Sequence, residues 1–386
     1  MPKLVRITTM PVSLKVLLKG QMRFMREKGF DVTMISSDGP EVNPLVAHEG
    51  CPHIPVKLTR KITPFTDLAS LIKLTRLLRQ IRPDIVHTHT PKAGLLGMWA
   101  AKLSGVPVRL HTIAGLPWVE SRGWKRRLLK TMEKLTAYAA TEILPNSFVQ
   151  QQFLFDEGIA RSKMKVIGGG SSNGINSQYF SRHEEILHQS QELLKQEPTP
   201  ASGWVWIFVG RIVKDKGIAE LLDAFDLLHQ QFPNDRLWMV GEEEPELDPL
   251  SEKHRYMLHE HKAIRWWGYQ TDIRPYLAAA KVLVFPSYRE GFPNVPLQAG
   301  AMGCMLLLSD INGCNEIVQD GENGMLVPPK DSKTLASSMF RIRTDDAKRI
   351  QFAAAIQKKI REQYNQQTLW NQILAKYEEE IKKVKS

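Results

Sequence analysis

"WVWIFVGRIVKDKGIAELLDAFDLLHQQF" (residues 204–232) reads as a strand, a turn and a helix in succession. The run 204–210 is aromatic and β-branched with no polar break, the composition of a strand covered on both faces. After the turn, 218–232 carries apolar residues at three- and four-residue spacing, the stripe of a helix. The unit repeats downstream, where "RLWMVG" (236–241), "AIRWWG" (263–268), "KVLVFPS" (281–287) and "CMLLLSD" (304–310) are further strands. Upstream the same rhythm occurs in "LVRITT" (4–9), "FDVTMISS" (30–37), "DIVHTH" (84–89), "VPVRLHTI" (106–113), "EILPNS" (142–147) and "KMKVIGGG" (163–170). Helical stretches such as "LASLIKLTRLLRQI" (68–81) separate these strands. Alternation of this kind predicts parallel sheets wrapped by helices on both faces.

The rhythm breaks once, at "SSNGIN" (171–176) and the polar stretch leading to "EPTPASG" (197–203). We therefore expect two doubly wound α/β domains, 1–175 and 176–365, facing a central cleft lined by the carboxyl ends of their strands. A last helix in 366–386, with Trp370, Ile373, Leu374, Tyr377, Ile381 and Val384 on one stripe, is free to pack back on the first domain. A length of 386 residues agrees with two cores rather than one.

Charge is uneven along the chain. Residues 1–175 hold 26 Lys and Arg against 12 Asp and Glu, while 176–386 hold 26 against 29. The basic half suits nucleic acid, anionic lipid or a phosphorylated substrate. No helix-turn-helix or aromatic-interleaved RNA motif accompanies the charge, which argues against nucleic acid. Cys51, Cys304 and Cys314 have neither disulfide-framework nor zinc spacing, and the N-terminus lacks a signal-peptide cleavage site. The expectation is a cytoplasmic protein, in contact with the inner face of the cytoplasmic membrane.

Two strand-to-helix turns hold the chemistry. "FVGRIVKDKG" (208–217) places Arg211 and Lys216 where a strand ends and a helix begins, an arrangement that suits a diphosphate. Two solvated surface cations would look the same. "FPSYREGFPN" (285–294) turns through Gly291, Phe292 and Pro293 into a helix that starts near Asn294. Glu290, just before it, is placed either to accept hydrogen bonds from sugar hydroxyls or to complement the positive helix start.

These turns, with "NGIN…F" (173–180) and "GCNEIVQDGENGMLVPPKD" (313–331), resemble in order the retaining glycosyltransferases of family four, which have the GT-B fold. Within that family the chain looks most like bacterial enzymes that build capsule, O-antigen or other surface polysaccharide on a lipid carrier. The resemblance implies transfer of a sugar from a nucleotide-sugar, a UDP-sugar, to a lipid-linked saccharide, with no cofactor and no metal ion. Arg211 and Lys216 would then grip the donor diphosphate, and Glu290 the donor sugar. Gly291, Phe292, Asn294 and Val295 would line the donor site, and Tyr269 would lie at the nucleotide base, although its position is equally that of a core residue. Gln298 falls where the family has its second, ribose-holding carboxylate, so here an amide replaces a charge. His111 aligns with the active-site histidine, although a lone histidine after a strand is commonly a structural residue.

Acceptor-side readings are Lys92, as a phosphate contact, and Trp118. His87 and His89 share a strand face, but no third metal ligand accompanies them. "SRGWKRRLLKTMEKLTAYAA" (121–140) forms a basic helix with Trp124, Leu128, Met132, Leu135 and Ala139 on one side. It is equally an ordinary domain helix or one that lies on an anionic bilayer, with Trp118 and Trp124 favouring the bilayer. A GT-B-shaped nucleotide-sugar epimerase is the other enzymatic reading.

Overall fold

The computed structural model describes residues 1–116, 118–119, 121–197, 199–200, 202–246 and 248–385. It forms two compact units, one made of residues 1–174 with the chain from 366 onward, the other of residues 175–365.

The sheet of the first unit contains β1 (Lys3–Ile7), β2 (Asp31–Ser36), β3 (His53–Pro55), β4 (Ile85–His89), β5 (Val108–Ile113) and β6 (Glu142–Pro145). All are parallel, in the order β3-β2-β1-β4-β5-β6. Helices α4 (Pro64–Ile81), α5 (Pro91–Leu103) and α6 (Gly123–Ala139) carry the chain one way along the sheet. Right-handed crossovers therefore put them on one face, with α5 between the other two. Helices α1 (Pro11–Leu17), α2 (Gln21–Glu27) and α3 (Val42–Glu49) cover the opposite face, and α7 (Phe148–Asp156) follows β6. Each face has its own core: Leu74, Met98 and Ala137 on the first, Leu14, Met25 and Leu45 on the second.

The last helix, α16 (Gln366–Lys385), lies on that second face, with Leu369, Ile373 and Tyr377 in its core. Polar bonds fix it there. The Tyr377 hydroxyl is bonded to buried Arg6 and lies 2.6 Å from His87 Nδ1, and Lys376 pairs with Glu142 at 2.5 Å.

In the second unit, β7 (Val205–Val209), β8 (Arg236–Val240), β9 (Ile264–Trp266), β10 (Val282–Phe285), β11 (Met305–Ser309) and β12 (Met325–Val327) form a parallel sheet ordered β12-β11-β10-β7-β8-β9. Around it run α8 (Glu184–Gln196), α9 (Ile218–Gln231), α10 (Glu252–Glu260), α11 (Arg274–Ala279), α12 (Asn294–Ala301), α13 (Cys314–Ile317), α14 (Ser332–Arg343) and α15 (Asp346–Gln363). One continuous core joins them, centred on Trp206, Phe208, Trp238, Leu283 and Leu307.

Two three-residue strands, β3 and β12, escape the sequence reading, whereas β9, equally short, is read from the aromatic run "AIRWWG". Residues 163–170, read as a strand, make only one bridge, Met164 to Ile143. Three consecutive glycines there leave the backbone without side chains to pack. All three cysteines are free and buried, and among the described residues no helix is long and apolar enough to cross a membrane.

Candidate functional site

In the second unit β7 and β10 are neighbours, yet the chain runs from β7 through β8 to the edge strand β9 and then returns to β10, on the opposite side of β7. Such a reversal opens a crevice at the carboxyl ends of the two strands, where doubly wound sheets take their ligands. Two turns meet in it: a 3₁₀ turn, Lys214–Lys216, after β7, and residues 286–293 after β10.

Backbone and side chain tie the turns together. Tyr288 N donates to Asp215 O at 2.9 Å, and Arg289 donates to the Asp215 carboxylate at 2.8 and 3.0 Å. Gly217 has φ +70°, and a Cβ there would stand 2.1 Å from the Pro286 carbonyl oxygen. Only glycine permits this approach. The outcome is that Lys216 Nζ lies 2.6 Å from Glu290 Oε1, with both side chains 15% exposed. Arg211, in the same segment, pairs with Glu244 at 2.8 Å, nearer to solvent. Both cations expected to meet a diphosphate are thus already faced by carboxylates.

The turn into α12 is anchored from below. Phe292 packs against Tyr364, with ring centroids 5.5 Å apart, and Val295 packs on the same core. Asn312 Nδ2 donates to Gly291 O at 2.9 Å. The side chains of Phe292 and Val295 hold the turn, which leaves its backbone for a ligand. Pro293, at the helix start, offers no side-chain cap to the first N–H groups, among them that of Asn294. Gln298 is half-buried one turn beyond Asn294, on the same face. Tyr269 is 71% exposed in the loop after the edge strand β9, two strands from β7.

The first unit has a matching reversal between β1 and β4. There Thr9 N donates to Thr90 Oγ1 at 3.1 Å, and the two hydroxyls are 2.8 Å apart. Thr90 has φ +75°, an outlying conformation for a β-branched residue and one that marks functional sites. Neither threonine stands out in the sequence; the His-Thr alternation of residues 87–90 is a signal for Thr90 alone.

His111, on β5, is buried beneath α5, where Gly94 leaves the space for its ring. Its Nδ1 is 2.8 Å from Thr88 Oγ1, and its Nε2 is 3.8 Å from Glu133 Oε1. Burial lowers the imidazole to about 4 and raises the Glu133 carboxyl to about 7. His111 is therefore neutral over the physiological range, suited to a hydrogen bond and not to a positive charge.

Two acceptor-side expectations are corrected. Lys92 donates to both Asp67 oxygens, at 2.8 and 2.9 Å, and to the Lys61 carbonyl, so its ammonium clamps the loop before α4. Trp118 is 1% exposed and stacks on Phe153 at 5.4 Å, which puts it in the core and away from acceptor and bilayer alike. Its burial removes one of the two aromatics that favoured a membrane role for α6. Trp124 keeps that position, being exposed in the first turn, while Leu128 and Met132 are half-buried and Leu135 is exposed. His87 is engaged by Tyr377 and by Thr112, the latter at 2.7 Å. Among the described residues no group of three His, Cys, Asp or Glu side chains is placed to hold a metal ion.

Residues 17–170 match the family model described as a glycosyl transferase 4-like domain, and residues 204–345 match that of the glycosyl transferases group 1. A capsular polysaccharide biosynthesis glycosyltransferase of Staphylococcus aureus, CapM, is 32% identical over 94% of this chain and 93% of its own. An Escherichia coli enzyme named UDP-Gal:alpha-D-GlcNAc-diphosphoundecaprenol alpha-1,3-galactosyltransferase is 27% identical over 87% of each chain. Among solved structures, Anabaena Alr3699/HepE in complex with UDP and glucose superposes with a TM-score of 0.81, at 18% identity, over 98% of this chain and 100% of its own.

Proposed function

Because this chain belongs to the group 1 and 4-like glycosyltransferases of capsule and O-antigen synthesis, with the GT-B fold, we propose that it moves a sugar from a UDP-sugar to a polyprenyl-diphosphate-linked saccharide. The transfer proceeds with retention and without a metal ion. The observation that carries this reading is the Lys216–Glu290 pair at the switch point of the second sheet. A relative whose name specifies a UDP-sugar and a diphosphoundecaprenol acceptor supports the choice of substrates.

In this mechanism the bond between the anomeric carbon and the β-phosphate oxygen breaks as the acceptor hydroxyl approaches on the same face. The acceptor oxygen bonds to that carbon, and its proton passes to the departing phosphate oxygen. Lys216, Arg211 and the first-turn N–H groups of α12 offset the charge that grows on the diphosphate. Glu290 accepts hydrogen bonds from the donor sugar, and Gln298 serves the ribose with one donor and one acceptor in place of a carboxylate. His111, expected beside the transferred sugar, is corrected: buried beneath α5 with Nδ1 at Thr88 and Nε2 toward Glu133, its ring supports β5 and presents no nitrogen to a sugar hydroxyl.

The test uses the purified chain with vesicles that contain a polyprenyl-diphosphate saccharide and a panel of UDP-sugars. UDP release and an anomeric configuration identical to the donor's are expected, unaffected by EDTA. Lys216→Ala and Glu290→Ala each lose at least about a hundredfold in rate, the scale seen when a charge-stabilising group is removed from an active site. Full turnover by both variants overturns the site. Inversion, or EDTA-sensitive transfer, overturns the mechanism, and conversion of UDP-sugar without acceptor establishes the epimerase.

A further inference from the structure

Helix α4 has two apolar faces, and the fold uses one. Leu74 and Leu78 face the core, whereas Phe65, Leu68 and Ile72 face solvent, with Ile62 just ahead of the helix also exposed. Phe65 is 91% exposed. Positions 65, 68 and 72 recur at three and four residues, so they form one outward stripe. Single exposed apolar side chains are ordinary, but four within eleven residues form a patch that calls for a partner.

Charge says which partner. Helices α4, α5 and α6 together carry ten Lys and Arg and two acids, Asp67 and Glu133. Asp67 pairs with Lys92 at 2.8 Å, Glu133 is buried, and Glu157, just past α7, faces Arg126 at 3.3 Å and also Lys130, so the cations left to solvent include Lys73, Arg76, Lys125 and Arg127. Around the stripe Lys57, Arg60, Lys61, Lys73 and Arg76 are exposed. Phe65 and Trp124, which is 74% exposed beside Lys125 and Arg127, are each the second residue of their helices. Both helices start at the carboxyl edge of the same sheet, on one face, with α5 between them. The two aromatic rings therefore mark one end of the helix layer, roughly 16–20 Å apart at ordinary helix spacing.

We propose that this end of the first unit docks on an anionic bilayer, with the Ile62, Phe65, Leu68 and Ile72 stripe entering the acyl boundary. The surrounding cations meet lipid phosphates, and Trp124 forms the second contact. The inference deepens the proposed function by naming where the lipid-linked acceptor is met. It rests on that reading only for the acceptor, because docking itself requires neither donor nor acceptor.

The test is sedimentation of the full chain with phosphatidylcholine vesicles and with vesicles containing one quarter phosphatidylglycerol, without nucleotide. Binding is expected on the anionic vesicles, reduced by salt. Phe65→Glu with Leu68→Glu lowers it by at least about tenfold, the scale of withdrawing one large apolar side chain from lipid, while Trp124→Ala lowers it less. Circular dichroism melting of the double variant is expected to match the natural protein, because both side chains are solvated in the free chain. An environment-sensitive fluorophore on Phe65→Cys brightens on anionic vesicles. Undiminished binding of the double variant, or a silent probe, overturns the proposal. So does a natural dimer that the double variant makes monomeric with vesicle binding intact, which assigns the patch to a second copy. Transfer to an acceptor in detergent micelles separates this outcome from the reaction: the double variant keeps it if docking alone is lost.

Discussion

Each cation proposed for the diphosphate is matched by a carboxylate, but the two carboxylates differ in what else they offer. In the proposed reading Glu290 holds the sugar, whereas Glu244 pairs with Arg211 at 2.8 Å and lies in the acidic run "EEEPELD" (242–248). On the same reading Glu244 would compete with the product diphosphate and ease its release. Glu244→Gln is therefore expected to tighten UDP binding about two- to fivefold, as an exposed pair is worth under about 1 kcal/mol. Calorimetric titration reads it, and unchanged or weaker binding removes Arg211 from the diphosphate site. The second residue-scale prediction concerns Glu133 beside His111. Its carboxyl, raised from 4.5 to about 7, keeps a proton in the folded chain that the unfolded chain releases. Stability from this group is present below about pH 4.5 and is lost as pH rises through about 7. His111, lowered from 6.5 to about 4, acts oppositely, costing stability as pH falls through that window. Glu133→Gln removes the first effect alone. Relative to the natural protein, it gains up to about 3 kcal/mol between about pH 4.5 and pH 8. Urea denaturation across that range measures the difference, and a gap independent of pH means that Glu133 is ionised in the fold.

Elements were legible in the sequence where periodicity ran long enough to be read. The stripe at 68–81 identifies α4, and the unbroken apolar run 204–210 identifies β7, both within a few residues of their observed ends. β3 and β12, three residues each, were not legible, whereas the equally short β9 was marked by its aromatic run, and 163–170 was misread because apolar residues ahead of three glycines look like a strand without packing as one. The candidate site divides in the same way. Arg211, Lys216 and Glu290 stand out because they flank glycine turns between strand and helix. Their partners Glu244 and Asp215 do not, since the sheet order that brings residues 215 and 289 together has no local signature. Lys92 and Trp118 failed for a related reason: a lysine and a tryptophan after a strand suit a ligand equally well as a loop clamp or a core, and only burial separates the two. The outward stripe of α4 was hidden by its own periodicity, which reports apolar faces without saying which one is covered.

At the scale of the molecule, the chain order and the structural units differ. The second unit is continuous, from 175 to 365, but the first is completed only by α16, which follows the second unit in the chain. That helix contributes Leu369, Ile373 and Tyr377 to the core on the α1–α3 face, and its Tyr377 hydroxyl joins the buried Arg6–His87 pair. Burial of three such side chains stabilises by about 5–9 kcal/mol in sum, at roughly 1.5–3 kcal/mol each. A domain of this size has a net stability of about 5–15 kcal/mol, so loss of α16 removes most or all of it. Truncation also exposes Arg6 and His87, whose buried polar network depends on Tyr377. A chain ending at residue 365 is therefore expected to unfold selectively. Hydrogen exchange followed by mass spectrometry should show peptides of β1, β2 and β4 exchanging at rates near those of the unfolded chain. Peptides of β7, β8 and β10 should keep full protection, because the second core contains no residue beyond Tyr364. Native protection of β1 and β4 in the truncated chain would mean that α16 decorates the first unit and does not complete it.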